Sequence, residues 1–176
     1  MQWQQVYDFW FKQLKSEDWF RVNPTLDETI RNQFESTLIA ASKGELSDWR
    51  VTAKGALCEI IVLDQFSRNI YRNTPSAFSQ DAIALVLAQH AIEKGFDKLL
   101  TQTELGFLYL PFMHSESIKI HEVALSLYAE HPNFDFEIAH KKIIDQFGRY
   151  PHRNDILGRA STEQELTFLT QPNSSF

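Results

Sequence analysis

Two stretches of this chain repeat an acid, an aromatic and an arginine at the same spacing: Asp64-Gln65-Phe66-Ser67-Arg68-Asn69, and 81 residues later Asp145-Gln146-Phe147-Gly148-Arg149. Arg72 follows the first, and His152, Arg153 and Asn154 follow the second. Each copy falls where a helical pattern stops, and an aspartate four residues before an arginine lies on the same side of a helical turn. A guanidinium fork matches the oxygens of a carboxylate or a phosphate. If Arg68, Arg72, Arg149 and Arg153 converge on Asp64 and Asp145, cations outnumber acids and an anion is the expected guest. The competing reading is structural, since arginines near helix C-termini complement the dipole and reach the last carbonyls.

His114-Ser115-Glu116 adds acid-base chemistry. His114 and His152 are candidate general acids or bases, with Glu116 as the orienting carboxylate and the arginines as stabilisers of developing negative charge. Ser115 is placed to cap the following helix. No activated nucleophile accompanies them, because Cys58 lies among Leu57, Ile60, Ile61 and Leu63 and no glycine-flanked serine elbow occurs. His114, His152 and a carboxylate are ligand types that suit zinc, yet no histidine pair has helical ligand spacing and His121-Glu122 lacks a second histidine, so no metal is expected. The 6 glycines stand singly, without a phosphate loop, and no cofactor is expected. The candidate ligand-binding set is therefore Asp64, Arg68, Asn69, Arg72, His114, Glu116, Arg149, His152, Arg153 and Asn154.

Helices must position these groups. Trp3, Val6, Tyr7, Trp10, Phe11 and Leu14 form one stripe. Thr25 with Glu28 reads as a capping box for a second helix through Leu26, Ile30, Phe34 and Leu38, ended by Gly44. A third follows Ser47 and runs to Phe66. Thr74 caps a fourth, with Pro75 in its first turn and Gly95 at its end. A short helix over 104–110 meets Pro111, which stops or kinks it before His114. A sixth carries Ile118, Leu125 and Tyr128. Asp135 caps a seventh that Gly148 stops, and Thr162 with Glu165 opens the last. Nothing alternates as strands do, so the expected fold is all-α, about eight helices in antiparallel pairs within one domain spanning 1–176.

Composition sets the outer limits. At 176 residues, with 43% hydrophobic and 13% aromatic residues, the chain has material for a real core. A net charge of -6 argues against nucleic acid as a partner. Residues 140–159 nevertheless carry +3, leaving -9 elsewhere, and a basic island on an acidic body suits a small anion or an acidic peptide. The single cysteine allows no internal disulfide, and no signal or membrane-spanning run is visible, so a cytoplasmic location is expected.

Three phrases in order carry a resemblance: 63–72, beginning Leu63-Asp64-Gln65-Phe66; 108–116, Leu108-Tyr109-Leu110-Pro111 onward; and 147–159, with Tyr150-Pro151-His152-Arg153-Asn154 at its centre. Together they resemble the bacterial domain of unknown function 924 family over nearly the whole chain. The resemblance implies a tetratricopeptide-like right-handed array of antiparallel helix pairs and no assigned reaction. Ser67 departs from the proline more usual there.

The reading that follows is an uncharacterised helical-repeat-like protein that binds a small carboxylate or phosphate, or an acidic peptide, in an Arg/His-lined pocket. A hydrolase-type enzyme using His/Glu acid-base chemistry is the alternative, and a protein-interaction scaffold with tryptophan anchors such as Trp19 is the third. Whether a reaction occurs, and the oligomeric state, stay open at this level.

Overall fold

The computed structural model describes residues 2–172 and Ser174. They divide into two compact units: the chain up to Arg72 with Ser76–Pro111, and Asn73–Pro75 with the chain from Phe112 onward. Among the described residues the regular elements are all helical, as the spacing predicts. No helix among them is long and apolar enough to cross a membrane.

In the first unit, α1 (Trp3–Asp8) passes into a π-helical turn (Phe9–Gln13) that buries Phe9 and Trp10. The second helix, α2 (Pro24–Ser42), starts earlier than Thr25. Asn23 is its cap, with Oδ1 accepting the N–H groups of Thr25 and Leu26 at 3.1 and 3.2 Å, because Pro24 takes the first helical position with its φ already set. Gly44 then adopts a left-handed φ of 75° beyond its end. Ser47–Val51 is a 3-10 turn rather than the start of the third helix, which begins as α3 (Ala53–Ile61) behind the Thr52 cap.

The helix that carries the first repeated phrase does not stop at Phe66 but runs on to Ile70, just past the phrase. A π turn (Val62–Phe66) leads directly into α4 (Ser67–Ile70), giving an unbroken helical run from 53 to 70. Nothing in the sequence there breaks it, and Ser67 in place of proline keeps its N–H for the ladder. Pro75 opens a 3-10 turn (Pro75–Phe78), so α5 (Asp81–Glu93) begins several residues later than expected. In α6 (Gln102–Met113), Thr101 and Glu104 form a reciprocal cap, and Pro111 sits in the last turn, which stops before His114.

The first unit's core is aromatic. Phe34 lies 5.0 Å from Phe9 and 4.9 Å from Phe66, ring centre to ring centre, and Trp10 meets Phe66 at 5.5 Å. Trp19 folds back onto this cluster, donating its indole N–H to the Trp10 carbonyl at 2.9 Å. Cys58 is fully buried, and burial pushes its thiol far above the ordinary value, which removes it as a nucleophile.

The second unit holds α7 (Ile118–Tyr128), α8 (Phe134–Phe147), a 3-10 turn (Pro151–Arg153) and α9 (Glu163–Leu169). Ser117, not Ser115, precedes α7, and Asn133, not Asp135, precedes α8. Gly148 ends α8 in a left-handed φ of 68°, its N–H bonding to the Ile144 carbonyl at 2.8 Å. The predicted Thr162/Glu165 capping box opens α9, with both reciprocal bonds in place. Ile143, Ile144 and Tyr150 form one buried cluster here, with Phe147 and Phe168 packed against them.

One close approach in the first unit tolerates no side chain. A Cβ on Gly55 would overlap the carbonyl oxygen of Trp49 and lie 2.9 Å from Thr52 Oγ1. Gly55→Ala is therefore expected to destabilise the fold by about 2 kcal/mol or more, read as a fall in the urea midpoint. An unchanged midpoint would contradict this packing.

Candidate functional site

In the first unit the arginine forks are already engaged. Arg72 holds both oxygens of Asp27 at 2.6 and 2.7 Å, and Asn69 donates to the same carboxylate at 2.8 Å. Arg68 reaches Asp64 at 3.3 Å as the i,i+4 spacing predicts, but its two-pronged partner is Asp81, at 2.9 and 3.1 Å. Asp64 itself is buried and also accepts from Gln65. Burial raises the Asp27 carboxyl, and Arg72 and Asn69 outweigh that, leaving it below the usual range. Asp64, Arg68, Asn69 and Arg72 thus tie α2, α4 and α5 together in two separate clusters, the buttress role that their helical positions permit.

The second phrase behaves differently from the first. Gly148 turns the chain out of the helix, so Arg149 leaves the side of Asp145 and the predicted i,i+4 pair does not form. Arg149 instead grips Glu165 at 2.6 and 2.8 Å, fastening α9, while Asp145 pairs with Lys141 at 2.6 Å. The Arg149 guanidinium, working against burial and helped by the Thr162 N–H, holds Glu165 down at about 2.

Glu116 also has a partner other than the one expected. Both its oxygens take the fork of Arg159, at 2.6 and 2.9 Å, and one accepts the Tyr150 N–H at 2.8 Å. Burial raises this carboxyl, but Arg159, the Tyr150 N–H and the charge of Arg153 more than compensate, so it titrates lower than usual. With these bonds made, Glu116 anchors the loop after α8 and does not orient His114 or His152.

A histidine is oriented by a carboxylate in this unit, and it is His121. Its Nδ1 lies 2.7 Å from Glu137 Oε1, both side chains fully buried, and its Nε2 faces the Ser115 carbonyl at 2.9 Å. A carbonyl oxygen only accepts, so Nε2 carries a hydrogen, and a second proton must lie between Nδ1 and the carboxylate. Tyr150 completes this group. Its hydroxyl donates to the Met113 carbonyl and stands 3.2 Å from His121 Nε2.

The Tyr150 ring gathers the remaining basic groups. The centre of the Arg153 guanidinium lies 4.6 Å from its centroid, and the rings of His152 and His140 lie at 5.5 and 5.8 Å. Of the residues singled out from sequence, the structure brings Glu116, His152, Arg153 and Asn154 around this tyrosine and its loop, with Arg149 beside them tied to Glu165 of α9, while His114 lies close enough to His140 for its charge to act there. Burial, opposed by a bond to the Phe136 carbonyl and reinforced by the charges of His114, His121 and His152, depresses His140 to about 3. Asn154, fully buried, accepts from Arg159 Nε at 3.0 Å and donates to Ser161 at 3.0 Å. It is a positioning residue.

Beside this cluster lies a hollow of about 630 Å³, whose polar wall carries His152, Asp155, Arg159 and Ser161. That volume falls within the range of small-molecule sites. Among the described residues no group of three His, Cys, Asp or Glu side chains is disposed to hold a metal ion.

Sequence reasoning passed over His121, Glu137, His140, Tyr150 and Arg159 as site residues. The available signal was polar groups at core positions: Glu137 and His140 stand three apart on the inner face of α8, where Ala139 and Ile143 mark the apolar stripe.

The sequence matches the family described as bacterial protein of unknown function (DUF924) over residues 6–173. The chain belongs to this family. A solved structure of a protein of unknown function from Agrobacterium tumefaciens is 32% identical to it. The likeness covers 95% of this chain and 96% of that one, with a TM-score of 0.91. No curated protein matches the sequence.

The depressed His140 sets an acid limit. Its folded value, about 3, lies below the ordinary 6.5, so the unfolded chain takes up the proton first. The stabilisation is complete above pH 6.5 and is lost as the pH falls towards 3, at up to about 1.4 kcal/mol per pH unit. Chemical denaturation at pH 6.5 and 5.0 is expected to show a smaller loss in His140→Phe than in the parent protein. Equal losses would count against a buried neutral imidazole.

Proposed function

We propose that this protein binds a small anion, a carboxylate or a phosphate, in the hollow of its second unit. The observation that carries the reading is the wall itself: His152, Arg159 and Ser161 face one cavity of about 630 Å³. Residues 140–159 hold a +3 balance in a chain of -6, of which Glu116 and Glu165 offset two charges through Arg159 and Arg149. Arg159 is fixed by Glu116 and Asn154, so its orientation is set before a ligand arrives. Of the residues singled out from sequence, the reading rests on His152, which faces the hollow, and on Asn154, which positions Arg159. Arg68 and Arg72 belong to the first unit and do not line the hollow, so they are not part of it.

Asp155 is the one carboxylate on the described walls of the hollow, and it opposes an anion. Isothermal titration calorimetry with inorganic phosphate and with succinate tests the proposal through two variants of opposite sign. His152→Ala is expected to weaken binding roughly 10- to 100-fold, the scale of a charge-assisted hydrogen bond. Asp155→Asn is expected to strengthen it roughly two- to fivefold. Absence of heat with both anions, or affinities unmoved by both substitutions, would overturn the reading.

A further inference from the structure

The hollow has a second wall of different chemistry. Leu166 and Leu169 face it from α9, three residues apart and therefore on the same side of that helix, while His152, Asp155, Arg159 and Ser161 come from the preceding loop and Ser174 from beyond the helix. Leu166 is 55% exposed, a large apolar side chain left in water beside a basic wall. The separation is built in. Arg149 grips Glu165 and Thr162 caps the helix, which fixes the leucine face of α9, while Asn154 and Glu116 fix Arg159 in the loop. A bare phosphate or a short dicarboxylate satisfies one wall and leaves the other wet.

Resting on the anion-binding reading, we infer that the ligand is an amphipathic monoanion. Its carboxylate meets His152 and Arg159, and an acyl chain or aryl body lies along Leu166 and Leu169. A single charge fits better than several, because Asp155 shares the polar wall and Glu116 already takes the Arg159 fork. The apolar body then supplies the binding that the one charge does not, by removing the two leucines from water.

A ladder of carboxylates of one charge and growing length decides the matter: acetate, butyrate, hexanoate and octanoate, titrated calorimetrically into the full chain at one pH. Affinity is expected to rise along the ladder, by up to roughly fourfold for each methylene that is fully buried. Leu166→Ser, a change at an exposed position that leaves the core intact, is expected to flatten the ladder while sparing acetate. Leu169→Ser is expected to do the same. Equal affinity for all four acids would overturn the inference and leave anion binding standing. A ladder that persists unchanged in both serine variants would place the apolar contact elsewhere and overturn it too. If no carboxylate binds at any length, the anion reading itself fails, and the inference with it.

Discussion

Both units depend on one interaction repeated: an arginine fork closing on the two oxygens of a carboxylate supplied by another part of the chain. Arg50 takes Glu59, Arg72 takes Asp27 and Arg68 takes Asp81 in the first unit, and Arg159 takes Glu116 and Arg149 takes Glu165 in the second. Two of these acids, Glu59 and Glu165, are buried. A buried carboxylate without its cation is strongly destabilising, whereas the same pair made whole is near neutral. The pairs therefore specify geometry more than they add stability. Each joins elements at one distance and one angle, which apolar packing alone leaves adjustable.

This constraint separates what was legible in the sequence from what was not. The helical stripes could be read because burial imposes a period on apolar residues, and the stops at Gly44, Gly95 and Gly148 because left-handed backbone selects glycine. The Thr162/Glu165 cap could be read because both partners are local. Partnership across the chain was not legible. Arg149 looked matched to Asp145 by spacing, yet a single left-handed residue between them sends the arginine to Glu165. Glu116 looked like a helper of the neighbouring histidine, yet it reaches Arg159, 43 residues away. Sequence spacing reports neighbours along a helix, and it says nothing about which loop a fork will meet.

Tyr150 shows why the candidate site itself was half visible. Its dipeptide with Pro151 reads simply as a turn, but in the folded unit the residue bonds through its N–H to Glu116, through its carbonyl to Arg159 and through its hydroxyl to Met113. Its ring also gathers two histidines and an arginine. A basic cluster around a fully buried phenol is held together by ring faces and main-chain atoms, which leave no periodic trace.

The π turn over Val62–Phe66 has a consequence for how this fold accommodates change in chain length. Such a turn accommodates one more residue than an α-helical one, and a residue corresponds to about 100° of rotation about the axis. Everything downstream, including Arg68 and Asn69, is thereby swung round by that angle relative to α3. The segment works as a phase adjuster between an apolar face upstream and a polar face downstream. Removing a single residue here would leave every side chain chemically intact while turning Arg68 away from Asp81 and Asn69 away from Asp27, so at this position length carries as much information as identity.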